Sequence, residues 1–94
     1  MSEGVEVVQR LADCLLAIGN PSRLKIVQYC MNPKKFTEII LDLRLNPASF
    51  RFHSRVLANL DLVEKIDRGV YQTTELGKLV LELVSAANKI KNED

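Results

Sequence analysis

A mainly α domain of five helices, closed by one short two-stranded β-hairpin, is the architecture this sequence predicts. Three observations predict it. Residues 46–74, NPASFRFHSRVLANLDLVEKIDRGVYQTT, read as a capped helix carrying Arg51, His53 and Arg55, followed at once by two short strands that meet at Asp67-Arg68-Gly69. Asn20-Pro21 and Asn46-Pro47 each place a strong N-cap before a residue suited to the first helical position. Apolar residues keep helical spacing at both ends of the chain. A basic helix followed by a basic hairpin is the arrangement of a winged helix-turn-helix.

The first helix is expected over about residues 5–18. Its apolar residues, Val5, Val7, Val8, Leu11, Ala12, Cys14, Leu15, Leu16 and Ile18, cover more than the single stripe one core can bury. The second is expected from Pro21 to about Met31, with Leu24, Ile26, Val27 and Cys30 inward. Asn32-Pro33 follows that periodic stretch and reads as its end rather than a new start. The third starts near Phe36 or Thr37 and ends near Leu43, with Ile39, Ile40 and Leu43 on one face. The fourth spans about residues 47–60, with Phe50, Val56, Leu57 and Leu60 inward. The short Arg44-Leu45-Asn46 turn joins the last two into the helix-turn-helix.

Residues 62–66 and 70–73 read as the strands of the wing, and Gly69 can take the positive φ of a tight turn. The last helix begins after Thr73 or Thr74 and runs to about Lys91. Its residues Leu76, Leu79, Val80, Leu83, Val84, Ala87 and Ile90 keep i, i+3, i+4, i+7 spacing, and Leu81 adds apolar surface off that stripe. A helix this long outreaches the core of a small domain. Together with the over-apolar first helix it suggests a two-fold homodimer through Val8, Leu11, Leu15, Leu79, Leu83, Ala87 and Ile90. The other reading folds it back along its own domain.

The 94 residues form one domain. With 47% hydrophobic and 27% charged residues the chain is globular rather than disordered. No apolar run approaches the ~20 residues that span a bilayer, and residues 1–18 lack the basic start of a signal peptide. The expected location is the cytoplasm. Cys14 and Cys30 are too few for a disulfide scaffold and read as buried free thiols, with an intersubunit disulfide, a metal pair or a thiol switch as the other readings. Net charge is only +1, but residues 20–70 hold nine Lys/Arg against five Asp/Glu, and the two ends hold four against seven. The middle is therefore the electrostatically plausible surface for DNA.

Residues 16–27, LAIGNPSRLKIV, and residues 52–63, FHSRVLANLDLV, resemble the two signatures "ALxxPxRLxIL" and "SxHLxxLxxxGLV" of the arsenic-repressor-like (ArsR-type) winged-helix regulators. The resemblance covers about residues 8–84 and implies a DNA-binding regulator. Many small archaeal and viral DNA-binding proteins share it. There are departures. Arg51 stands where the family has serine, Ser54 follows the histidine in place of leucine, and Asp61 replaces the usual glycine. Residues 36–45 contain no Cys and the last helix no His, so both metal-sensing motifs of the family are missing and no metal or other cofactor is expected.

On the fourth helix Arg51 and Arg55 lie one turn apart, away from the inward face, where two arginines can reach adjacent base edges or phosphates. Phe52 is placed either to touch a thymine methyl or to pack on a neighbouring element. His53, the only histidine, falls on the apolar side, where a half-buried structural hydrogen bond is expected. Arg68 at the wing tip, with Lys65 behind it, suits minor-groove or phosphate contact. Lys34 and Lys35, and Ser22, Arg23, Thr37 and Ser49 at helix starts, are candidates for phosphate contacts that position rather than specify. The leading expectation is a homodimeric, sequence-preferring regulator that binds double-stranded DNA. The alternative is a winged-helix protein-interaction module that ignores DNA. No glycine-rich phosphate loop, nucleophile elbow, paired-carboxylate constellation or metal cluster points to an enzyme.

Overall fold

The computed structural model describes residues 2–93, and side chains from residue 4 to residue 90. Helices α1 (Ser2–Ile18) and α2 (Pro21–Tyr29) lead to a two-residue strand β1 (Lys34–Lys35), then to α3 (Phe36–Leu43) and α4 (Pro47–Asn59). Strands β2 (Val63–Asp67) and β3 (Val70–Thr73) form the wing, and α5 (Glu75–Glu93) follows. Among the described residues no helix is long and apolar enough to cross a membrane.

The expected caps form. The Asn20 side chain accepts from the Arg23 N–H at 3.1 Å, and the Asn46 side chain from the Ala48 N–H at 2.8 Å. At α3 the Glu38 carboxylate accepts the Lys35 N–H at 2.9 Å, which occupies one otherwise unpaired donor at the helix start. The fold departs from expectation in three places. α1 starts at Ser2 rather than near residue 5, and α2 stops at Tyr29 rather than near Met31. The sheet has three strands in the order β1-β3-β2, not two, because Lys34 pairs with Tyr71 and Lys35 with Val70, antiparallel. The third departure moves two lysines from a loop to the edge of the wing.

The core is aliphatic apart from Phe50, Cys14 and Cys30. Phe50 and Leu57 of α4, Ile26 and Val27 of α2, Ile39 of α3, Leu62, Val63 and Val80 are all fully buried or nearly so, and α1 contributes Cys14, Ala17 and Ile18. Thr73 is the one buried polar residue among those described, and its hydroxyl donates to Val27 O at 2.6 Å, so its burial leaves no donor unpaired. The apolar residues of α5 divide between two faces. Leu76, Val80, Leu81 and Val84 pack on the core, whereas Leu79, Leu83, Ala87 and Ile90 are exposed.

α4 ends with Asp61 at φ 60°, in the left-handed region. The Asp61 N–H bonds to Ala58 O at 3.0 Å and the Leu62 N–H to Leu57 O at 2.9 Å, the hydrogen-bond pair of a Schellman cap. That geometry favours glycine, which is the residue the resembled family carries there. Asp61 gains in exchange only an exposed ion pair with Arg10 at 2.9 Å, of a kind that contributes little. Asp61→Gly is therefore expected to raise stability by about 0.5–1 kcal/mol, measured as a higher Tm. A lower Tm would mean that the Arg10 link outweighs the backbone strain.

Candidate nucleic-acid interface

α3 and α4 are joined by Arg44-Leu45-Asn46, with Arg44 in the left-handed conformation at φ 54° and the Leu45 N–H bonded to Ile40 O at 3.0 Å. This cap ends α3 abruptly and turns the chain into α4. Burial of Phe50 and Leu57 then fixes which face of α4 looks outward, and Ala48, Ser49, Arg51, Phe52 and Arg55 are on it.

The outward face of α4 and the strand β2 enclose an open cleft of about 280 Å³. Arg51, Ser54, Arg55 and Ala58 line one side, and Val63, Glu64, Lys65 and Tyr71 the other. Three cations thus surround one groove, with Glu64 offsetting part of their charge. The Ser54 hydroxyl donates to the backbone carbonyl of Arg51 at 3.2 Å. The Arg51 guanidinium sits over the Phe36 ring, 5.4 Å from its centroid. Arg68 is exposed at the wing tip, where the Asp67 carboxylate accepts its N–H at 2.7 Å and Gly69 turns the chain at φ 68°. The β2–β3 register slips between Lys65 and Asp67, so Ile66 stands out of the ladder.

The other candidates are distributed unevenly. Lys35 is exposed on β1 beside the wing, but Lys34 reaches back to place its Nζ 4.9 Å from the Tyr29 ring centroid. The Tyr29 hydroxyl donates to Asp42, and this bond raises its pKa to about 12. Thr37 and Ser49 are exposed in the first turns of α3 and α4. Phe52 is 57% exposed, its edge against the His53 ring at 5.3 Å between centroids, so it does not pack into the wing.

Arg23 is not at an outer surface, contrary to the expectation of a phosphate contact there. It is half-buried, its Nε donates to Ala17 O at 2.7 Å, and its Nη1 lies 3.2 Å from His53 Nδ1. It ties the end of α1 to α4. This is the half-buried hydrogen bond expected of His53, with a partner that sequence reading did not supply. Burial, and then the Arg23 charge, push the His53 pKa below its ordinary value, so near neutral pH the ring is uncharged and Nδ1 accepts from the guanidinium.

Cys14 and Cys30 are free and buried. Burial raises both thiol pKa values, that of Cys30 to about 11, so neither is poised as a thiolate. Among the described residues no three His, Cys, Asp or Glu side chains gather to hold a metal ion.

Val8, Leu11, Leu15, Leu79, Leu83, Ala87 and Ile90 are all exposed, Val8 by 68% and Leu83 by 45%. The structure thus leaves an apolar surface on α1 and another on α5. Sequence reading missed the contact of Phe36 with Arg51, since nothing in the local pattern ties it to a residue fifteen positions on.

The same fold is found in the solved structure of reduced HlyU from Vibrio cholerae, which is similar with a TM-score of 0.73 at 22% identity, over 93% of this chain and 97% of that one. Identity at this level marks a shared winged-helix fold. No family model matches the sequence, and no curated protein matches it either.

Proposed function

We propose that this chain is a homodimeric, sequence-preferring double-stranded DNA-binding transcription regulator of ArsR-like type without a metal sensor. The observation that carries the reading is the cleft itself. Arg51 and Arg55 of α4 and Lys65 of β2 line a single open groove, with Arg68 free at the end of the same wing. α4 enters the major groove, its arginines reach base edges, and the wing holds the flanking backbone or minor groove. Ser49, Thr37, Lys34 and Lys35 add contacts that set register. The exposed apolar faces of α1 and α5 support the dimer, which spaces the two recognition helices one helical turn, ~34 Å, apart on a pseudo-palindromic site. The motifs quoted above support the ArsR-like assignment.

The test is binding to fluorescent random and mixed-site duplexes across a salt series, with mass checked by light scattering. Each phosphate neutralised contributes about −0.9 to the slope of log K against log salt. A dimer with a steep slope and a preferred duplex fits the proposal. A folded dimer that ignores DNA at low salt would sink it, and would favour a module whose α1 and α5 surfaces take another protein.

A further inference from the structure

Phe36 opens α3 where three parts of the interface meet. Its ring packs edge-on against Phe50 with centroids 5.5 Å apart, and Phe50 packs in the same way against Tyr71 of the wing at 5.1 Å. Its backbone N–H donates to Gly69 O in the wing turn at 2.8 Å. Phe50 is fully buried, so the Phe36 ring is braced from behind by a side chain that has no room to move. The Arg51 guanidinium lies 5.4 Å from the centroid of that ring. The ion pairs among the described residues, Arg10 with Asp61 and Lys78 with Glu75, leave Arg51 out. The aromatic ring is thus the group that orients it.

We propose that Phe36 is a positioning residue for Arg51, holding its guanidinium over a braced ring so that the fork meets a guanine edge already oriented. The inference rests on the DNA-binding reading and deepens it, by naming what sets base preference. The physical ground is a difference between two kinds of contact. Bidentate recognition of guanine O6 and N7 needs the guanidinium plane fixed, whereas a phosphate accepts a cation from many directions. A ring that fixes the plane therefore raises discrimination more than it raises general affinity. The backbone bond from Phe36 to Gly69 also registers the wing tip to the same ring, so helix and wing are held to one spacing.

The experiment uses the full chain with Phe36→Leu and Phe36→Tyr, each alone and combined with Arg51→Ala. The first readout needs no DNA. In wild type and Phe36→Tyr the Arg51 side-chain NMR resonances are shifted by the ring current, and in Phe36→Leu they return to ordinary values. The second readout is the ratio of affinity for the tightest duplex of the mixed-site pool to that for random duplex. Phe36→Leu is expected to lower that ratio about two- to fivefold, with Phe36→Tyr close to wild type. In the Arg51→Ala background Phe36→Leu should change nothing further. Should Phe36→Leu not fold, Phe36→Met makes the same comparison. Unshifted Arg51 resonances in wild type, or a Phe36→Leu loss of the same size without Arg51, overturn the inference. If wild type binds no duplex at low salt while its Arg51 resonances are shifted, the ring contact stands and the DNA reading beneath it is what fails.

Discussion

Gly77→Ala is expected to lower the Tm by about 10 °C, the largest stability loss expected from adding a methyl group at any of the four glycines. Gly77 sits in the first turn of α5, where the Thr74 hydroxyl accepts its N–H at 3.0 Å. A Cβ there would lie 2.3 Å from Leu62 O and 2.6 Å from Thr73 Cγ2. Neither neighbour can yield. Leu62 O accepts the Thr74 N–H at 3.0 Å, and the Leu62 N–H closes the cap of α4 at 2.9 Å. Thr73 is buried and anchored to Val27 O. α5 would have to lift from the α4–β2 turn, and Val80, fully packed one turn on, would lose its contacts with it. Alanine's better helix propensity returns only about 1 kcal/mol, less than an overpacking of about 3 kcal/mol. Gly4→Ala is the control, since a Cβ at Gly4 meets nothing within 4 Å and the substitution should leave the melt unchanged or raise it. Equal melts for Gly77→Ala and wild type would mean that α5 is not seated as described.

Gly77 also shows where sequence reading stops. It lies within an apolar helical pattern that is legible at a glance, yet nothing local says that the Leu62 carbonyl, fifteen residues upstream, will press on it. The elements were readable because their signals are local: Asn-Pro caps fix where α2 and α4 begin, and 3.6-residue spacing fixes the inward faces. β1 was not readable, because two residues have no period and Lys34-Lys35 has no strand composition. It exists because β3 offers an open edge. Arg23 was misplaced for a related reason. At a helix start it looks like a phosphate ligand, and only the fold brings Ala17 O and His53 Nδ1, from 6 residues before and 30 after, within its reach. Arg51 and Arg55 were readable in position but not in setting. Their spacing implied a shared face, whereas the groove they share with Lys65 depends on how the wing packs. Asp61 worked in the other direction, because the departure from the family glycine marked a position that the structure holds at positive φ.

The apolar surfaces bear on how much DNA affinity one domain can supply. A cleft with three cations and one carboxylate makes few phosphate contacts, and the chain's net charge of +1 adds little long-range attraction. Under the proposed reading, affinity comes from presenting two such clefts at once, with the second engaged at high effective concentration. The exposed rows on α1 and α5 then explain why a chain of this size leaves Val5, Val7, Val8 and Leu16 in water when it could have buried more.

Replacing Arg51 and Arg55 together by alanine is expected to reduce discrimination between preferred and random duplex by about 100-fold, the largest functional effect of any pair in the chain. Both side chains are exposed, neither takes part in an ion pair among the described residues, and Arg51 gives up only its contact with the Phe36 ring, so the fold should keep its stability to within about 1 kcal/mol. That separates loss of recognition from loss of structure, which a melt alongside the titration confirms. The two losses should not simply add, since the residues lie one turn apart and face the same groove. Lys65→Ala with Arg68→Ala supplies the contrast. Those wing cations are proposed to meet phosphate, so their removal should weaken all duplexes alike and flatten the salt slope by about 2, leaving the preference intact. If the α4 pair behaves as the wing pair does, α4 lies along the backbone and the base-reading role belongs to another element. If neither pair changes binding, the cleft is not the DNA surface. The proposed outcome, lost preference from α4 and lost salt dependence from the wing, requires the helix in the groove and the wing beside it.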